Sequence, residues 1–268
     1  MSASVLHRIE RAYAAAAARY GPLVTPSAVE LFTAAFGEPD PWQQAVLQSD
    51  APRLALNITR QGGKSSVAAA KATHAALSTP GALVLVVSPS LRQSGELFRK
   101  IMDVYGAAGR PVPPESETKL TLDLANGSRV VSLPGKEGTI RGYSGVSLLL
   151  IDEASRVPDE LYYSVRPMLA VSAGRLATLS TPFGKRGWWH KEWTEGGEGW
   201  RRFEVPATDC PRISAAFLEE ERRSMGALFF ASEYECRFVE TVDQVFSHEL
   251  VMAAVSDDVR PLFEEAVA

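Results

Sequence analysis

Asn57-Ile58-Thr59-Arg60-Gln61-Gly62-Gly63-Lys64-Ser65-Ser66 is the stretch on which the reading of this chain turns. The apolar run before it, Leu54-Ala55-Leu56-Asn57-Ile58, predicts a buried strand, and the alanine-rich run from Val67 to Leu77 predicts a helix after it. A strand, a glycine turn, Lys-Ser and a helix start make the form of a phosphate-binding loop. Glycines let backbone N–H groups close around phosphate oxygens, and the helix N-terminus adds free N–H groups and partial positive charge. In such a loop Lys64 reaches the β- and γ-phosphates of ATP, and the Ser65 hydroxyl ligates Mg²⁺. The full pattern has a glycine six residues before the lysine. Ile58 stands there, so the match is partial.

Composition sets the frame. The 268 residues suffice for one large domain, or one domain with an appendage. The chain is 46% hydrophobic and 22% charged, ordinary for a globular protein. Its net charge of −4 gives no global basic field of the kind that advertises nucleic acid. Cys210 and Cys236 fit neither a zinc spacing nor a disulfide framework. No apolar run approaches the ~20 residues of a membrane helix, and the start at Met1 lacks a signal-peptide core. A soluble intracellular protein with no membrane partner is expected.

The rest of the chain reads as alternating strands and helices. Helices are expected over 5–19, over Ser27 to Phe36 (closed by Gly37), and from Pro41 with Asp40 as its cap. Trp42-Gln43 precedes the loop: either the pair contacts an adenine base, or Trp42 packs in the core and Gln43 is solvated. Strand 82–88 leads to a helix from Ser90 to Tyr105, and residues 106–118 read as a loop. Ala125-Asn126-Gly127-Ser128 between two apolar runs predicts a hairpin. A glycine-rich loop, Gly135 to Gly145, carries Arg141. A helix over 159–170 follows the next strand, then a strand over 176–179, a tryptophan-rich stretch, a strand over 201–205, and two helices between Ser214 and Arg237 broken near Gly226.

The second chemical signal is Leu148-Leu149-Leu150-Ile151-Asp152-Glu153. A buried strand delivers Asp152 at its carboxyl end, where open α/β sheets bind ligands. There Asp152 can hold Mg²⁺, and Glu153 can polarise a water for in-line attack on the γ-phosphate. Alone, such an acidic pair can simply cap the next helix. With the phosphate loop upstream at the spacing of a parallel sheet, it points to an ATPase.

Taken together and in order, these motifs resemble the ATPase domain of a phage large terminase, the motor that pumps DNA into capsids. The resemblance runs from about Trp42 to Phe246. It rests on Pro41-Trp42-Gln43, on the deviant loop from Arg60 through Gly62, Gly63, Lys64 and Ser65, on Ser88-Pro89-Ser90 with Gln93 and Ser94, on Thr139-Ile140-Arg141-Gly142, on Ile151-Asp152-Glu153-Ala154, on Ser180-Thr181-Pro182, and on Tyr234 to Phe238 with Val245-Phe246. The family's loop typically carries an arginine at the position of Arg60 and does not need the first glycine.

The resemblance implies an additional-strand (ASCE) P-loop fold: a mainly parallel sheet sandwiched by helices, with the glutamate strand beside the loop strand. It implies an ATPase domain over 1–240 (helical segment 1–50, core 51–205, helical lid about 206–240) and a tail over 241–268. A nuclease domain is expected to be absent, since the acids near the end, Asp257-Asp258 and Glu264-Glu265, read as solvated helix positions. Glu153, Lys64, Arg60 and Arg141 are the expected catalytic residues. Trp42, Gln43, Gln61, Gly62, Gly63, Ser65 and Ser66, with Arg60 and Lys64, are expected to bind ATP, and Ser65 and Asp152 to hold Mg²⁺. Ser180 and Thr181 are expected to couple phosphate state to DNA grip. Arg141 is the candidate arginine finger for a neighbouring subunit; the alternatives are its own nucleotide or a loop ion pair. The implied partners are double-stranded DNA, the portal protein of the procapsid, the small terminase subunit and copies of this chain in a ring, in the cytoplasm of a bacterial host; in isolation a monomer is also consistent. The rival readings are a superfamily-2 helicase fragment and a nucleotide-gated, non-catalytic DNA-binding subunit.

Overall fold

The computed structural model describes residues 25–134, 142–240, 250 and 253–255, and the described part opens with two capped helices. The Ser27 hydroxyl accepts the Glu30 N–H, while the Glu30 carboxylate accepts the Ser27 N–H, and Gly37 ends the helix α1 (Ala28–Phe36). Asp40 and Pro41 open α2 (Pro41–Leu47). Then come β1 (Arg53–Ile58), α3 (Lys64–Ser78), β2 (Leu83–Ser88) and α4 (Leu91–Ala107), whose N-cap is Ser90. The helix expected over 5–19, Arg141 and most of its loop, Val245-Phe246 and the acids near the end lie outside the described residues.

The expected loop over 106–118 instead contains a strand, β3 (Pro114–Glu117). It is an exposed edge strand with no apolar alternation, held by antiparallel pairing to β4 (Thr121–Leu124). β4 and β5 (Arg129–Pro134) form the expected hairpin, with Gly127 at φ 79° in its turn. After β6 (Leu148–Asp152), the helix expected over 159–170 is α-helical only as α5 (Asp159–Val165). It tightens into a 3-10 turn at Arg166–Leu169, because Pro167 has no N–H to continue the ladder. β7 (Arg175–Ser180) follows, and the tryptophan-rich stretch is a helix, α6 (Gly187–Glu195). β8 (Arg201–Val205) precedes α7 (Ala215–Met225) and α8 (Ala227–Glu233), separated at Gly226.

Among the described residues one sheet of eight strands runs in the order β3-β4-β5-β2-β6-β7-β1-β8, parallel from β5 to β8. This corrects the expectation that the glutamate strand lies beside the loop strand. β7 stands between them, pairing Asp152 with Leu179 on one side and Asn57 with Ser180 on the other. The strands are apolar on both faces because both faces are covered. α1 to α4 pack one face through Leu56, Val84, Leu97 and Ile101, while α5 and α6 pack the other through Leu85, Leu149, Tyr162 and Trp188. Each fully buried Leu, Ile or Val contributes roughly 1.5–3 kcal/mol of apolar burial, so a charge at Leu150, which is fully buried, would break the sheet. The crossovers leave the carboxyl ends of β1, β6 and β7 on one edge. Among the described residues no helix is long and apolar enough to cross a membrane.

Candidate functional site

That edge opens into a cavity of about 770 Å³. Arg60, Gln61, Gly63, Lys64, Ser65, Ser66, Glu153 and Thr181 all line it, so the sheet brings together residues that stand far apart in the chain.

The loop's shape follows from its glycines and from Ile58. A Cβ on Gly62 would lie 2.7 Å from Ile58 Cγ2 and 3.1 Å from the Thr59 carbonyl oxygen. The residue that replaces the pattern's first glycine therefore packs beneath the loop, in space that only Gly62 leaves open. Gly63 sits at φ 96°, a left-handed conformation that favours glycine, and Gln61 adopts φ 57° without that freedom. Non-glycine residues held at positive φ concentrate at functional sites. α3 starts at Lys64, at the end where a helix's first N–H groups have no partner within it; those of Ser66 and Val67 fold back onto the Gly63 carbonyl, and Lys64, Ser65 and Ser66 line the cavity.

Glu153 also lies in the left-handed region, at φ 50° and ψ 45°. This bend after β6 turns its carboxylate to within 3.3 Å of the Lys64 ammonium. Asp152 beside it is buried, and its Oδ1 has no hydrogen-bond partner among the described residues. Burial, and then the neighbouring Glu153 charge, pushes the Asp152 carboxyl up to about 6, against the pull of Lys64. A buried acceptor without a partner is the group that a bound cation would satisfy. Hydroxyl and carboxylate oxygens such as those of Ser65 and Asp152 suit Mg²⁺, which takes its remaining ligands from phosphates and water.

Ser180 and Thr181, at the end of β7, are both buried, and Thr181 reaches the cavity. The Ser180 hydroxyl accepts the Ser155 N–H at 3.1 Å and lies 2.7 Å from the Ser155 hydroxyl. The strand end is thus hydrogen-bonded to the turn that carries Glu153.

Trp42 and Gln43, on α2, do not line the cavity. Trp42 packs against the core, and Gln43 is buried with its Oε1 accepting the Asp40 N–H. The Gln43 amide nitrogen would stand 2.6 Å from a Cβ on Gly63, so this side chain buttresses the loop from behind. Arg141 lies outside the described residues.

Arg156, Arg212 and Glu233 also line the cavity, and no local sequence pattern marks them. Arg212 donates to the Asp40 carboxylate at 2.8 Å and to the Gly62 carbonyl at 3.0 Å, clasping the start of α2 to the loop. Glu233, at the end of α8, lies 3.7 Å from the Arg60 guanidinium and 4.0 Å from that of Arg156. Their partners are distant in sequence, so only the fold reveals them.

Comparison with known proteins gives the chain's family and fold. The family model described as terminase large subunit, T4likevirus-type, N-terminal, matches residues 56–251. The terminase large subunit of Escherichia phage T5 is 27% identical over 200 residues, covering 70% of this chain and 44% of the phage protein. The chain therefore spans less than half the length of that relative. The large terminase ATPase domain of Thermus phage P74-26 superposes with a TM-score of 0.70 at 21% identity, over 78% of this chain and 97% of that one. The large terminase of another thermophilic bacteriophage, solved in complex with ADP, superposes with a TM-score of 0.63 at 14% identity, over 75% of this chain and 53% of that one. The two solved structures share the fold, and the family model covers most of the chain: it belongs to the family of terminase large subunits, matching their N-terminal region.

Proposed function

We propose that this chain is the ATP-hydrolysing part of a DNA-packaging motor. The observation that carries the reading is the meeting of Lys64 and Glu153 at 3.3 Å in the cavity above β1 and β6. In this role Lys64 and the N–H groups of the loop bind the β- and γ-phosphates. Glu153 orients and polarises the attacking water. Ser65 and Asp152 would hold Mg²⁺, whose chemistry is to neutralise charge on the phosphate oxygens. Arg60 reads the γ-phosphate from within the subunit, and Arg141 supplies a finger to a neighbour. Ser180, through its bond to Ser155, and Thr181 relay the phosphate state to the DNA-gripping surface.

The relatives' names support the wider reading. Residues up to about 240 form the motor domain, with 206–240 as its lid. The substrate track is double-stranded DNA, and the partners are a portal protein, a small terminase subunit and further copies of the chain, assembled on a procapsid in a bacterial host. The test is ATP-dependent phosphate release by the purified chain with Mg²⁺. Turnover that disappears in Lys64→Ala, with the fold intact by circular dichroism, supports the reading. Equal turnover in that variant refutes it.

A further inference from the structure

Ser88 is the one polar residue of β2, after the wholly apolar run from Leu83 to Val87, and the site described above gives it no task. Register places it. β2 and β6 pair in parallel from Val84 with Leu148 to Val87 with Ile151, and the next and last residues of the two strands are Ser88 and Asp152. Residues side by side on neighbouring strands project from the same face, and successive residues from opposite faces. Val84, Val86, Leu148 and Leu150 pack with α1 to α4, whereas Leu85, Val87, Leu149 and Ile151 pack on the other side. Ser88 and Asp152 therefore stand next to each other on the face that α3 and α4 cover, on strands about 4.8 Å apart. On its other side Ser88 pairs with Pro134, which has no polar side chain.

Both side chains are buried, Ser88 completely. Among the described residues neither Ser88 Oγ nor Asp152 Oδ1 has a hydrogen-bond partner. Buried serines nearby are satisfied within the fold: Ser94 donates to the Leu133 carbonyl and Ser132 to the Ser94 carbonyl, both at 2.9 Å. Ser88 does not cap α4 either, because Ser90 does, accepting the Gln93 N–H at 3.3 Å. A buried hydroxyl without a partner destabilises a fold, so packing alone favours an apolar residue at position 88. Ser88 does not line the cavity, although Ser65, Gln93 and Glu153 do. It can act on a nucleotide only through other groups.

We infer that Ser88 is a positioning residue for the divalent cation assigned above to Ser65 and Asp152. A hydroxyl both donates and accepts. Ser88 gives its proton to the Asp152 carboxylate, which fixes the orientation of that carboxylate, and its oxygen accepts from a water that the cation keeps. Mg²⁺ retains several waters and demands near-ideal geometry. Partners that orient a metal ligand in this way typically carry about 10- to 100-fold in metal affinity. The inference rests on the ATP and Mg²⁺ reading above and extends the metal site to β2, a strand that supplies neither the loop nor the acids.

The test measures affinity of the full chain for a non-hydrolysable ATP analogue, with Mg²⁺ and with a chelator, in the wild type, Ser88→Ala and Ser94→Ala. Urea unfolding of each chain is measured alongside. Binding of Mn²⁺ to each analogue-saturated chain, followed by electron paramagnetic resonance, reads cation affinity directly. Ser88→Ala should bind Mn²⁺ about tenfold or more weakly and lose the corresponding part of the gain from Mg²⁺. Its affinity in chelator and its urea midpoint should stay at or above the wild-type values. Ser94→Ala should show the reverse: a lower midpoint with cation affinity undiminished. Undiminished cation affinity in Ser88→Ala, an equal loss of analogue affinity with and without Mg²⁺, a Ser88→Ala chain that fails to fold, or the same loss of cation affinity in Ser94→Ala overturns the proposal. A wild type that binds the analogue in neither condition overturns the ATP reading as well. A wild type that binds it equally in both overturns the cation assignment of Asp152 as well. Normal wild-type behaviour retained in Ser88→Ala overturns this proposal alone.

Discussion

The Lys64 ammonium lies 3.3 Å from the Glu153 carboxylate, so the loop's cation is paired with the residue proposed to activate water. An incoming phosphate must take Lys64 from Glu153, which frees the carboxylate for its proposed work. Glu153→Gln should therefore bind ATP at least as tightly as the wild type, because it removes a competitor for Lys64. Lys64→Ala should lose binding. Titration with a fluorescent ATP analogue checks both. Weaker binding by Glu153→Gln would contradict the competition.

Gly62 and Ile58 form a second coupled pair. Gly62→Ala places a methyl 2.7 Å from Ile58 Cγ2, and overpacking of this kind costs about 1–3 kcal/mol. The loop should shift and nucleotide affinity fall. Ile58→Ala removes the opposing methyl, so Gly62→Ala in that background should lose less affinity than in the wild type. A double-mutant cycle measures the difference, and strict additivity would argue against the contact.

Lys71, in the middle of α3, holds the end of α2 in place. Its ammonium donates to the carbonyls of Val46, Leu47 and Ser49 at 3.1, 3.4 and 3.0 Å. Lys71→Met keeps the stem but strands these acceptors and should cost about 1–3 kcal/mol. Burial, and then the Arg175 charge, pushes the Lys71 amine down to about 8 from 10.5. Between those values the unfolded chain binds the extra proton, so stability from this group rises with pH across the window. Urea unfolding across that window should show the wild type gaining on Lys71→Met as pH rises. A flat or falling difference would contradict it.

The proposed trans role of Arg141 predicts complementation. Arg141→Ala and Glu153→Gln subunits, each inactive, should partly rescue one another when mixed, because a finger in one subunit can act at the intact glutamate of the other. A finger is worth roughly 10³–10⁵ in rate, so even partial recovery is measurable. No recovery in mixtures shown to co-assemble would place Arg141 in its own subunit, or outside catalysis.

How legible each part is depends on how local its physics is. The phosphate loop, the hairpin at Asn126-Gly127 and the strand ending at Asp152 are written in contiguous residues, and the fold carries all three. β3 is hidden because Pro114 to Glu117 has no apolar face, and its pairing is made by the backbone of β4. α6 is hidden because its tryptophans divide between core contacts rather than marking a simple stripe: Trp188 stacks on Tyr162, and Trp189 donates to Thr178. The place of β7 between β1 and β6 is a property of topology, with no local signature. Arg212 and Glu233 enter the cavity from segments about 150 residues or more beyond the loop residues they touch, and no spacing rule reaches that far. Gln43 stands out by residue type, but its buried place behind Gly63 depends on how α2 docks.

The most direct test of the central claim is a single-turnover measurement of ATP cleavage with Mg²⁺, wild type against Glu153→Gln, with both chains saturated with nucleotide. Saturation removes binding from the comparison and leaves only the proposed water activation. The account predicts that the wild type releases phosphate and that Glu153→Gln slows by about 10²-fold or more, the range of a positioned general base. Cleavage by Glu153→Gln at the wild-type rate would contradict it.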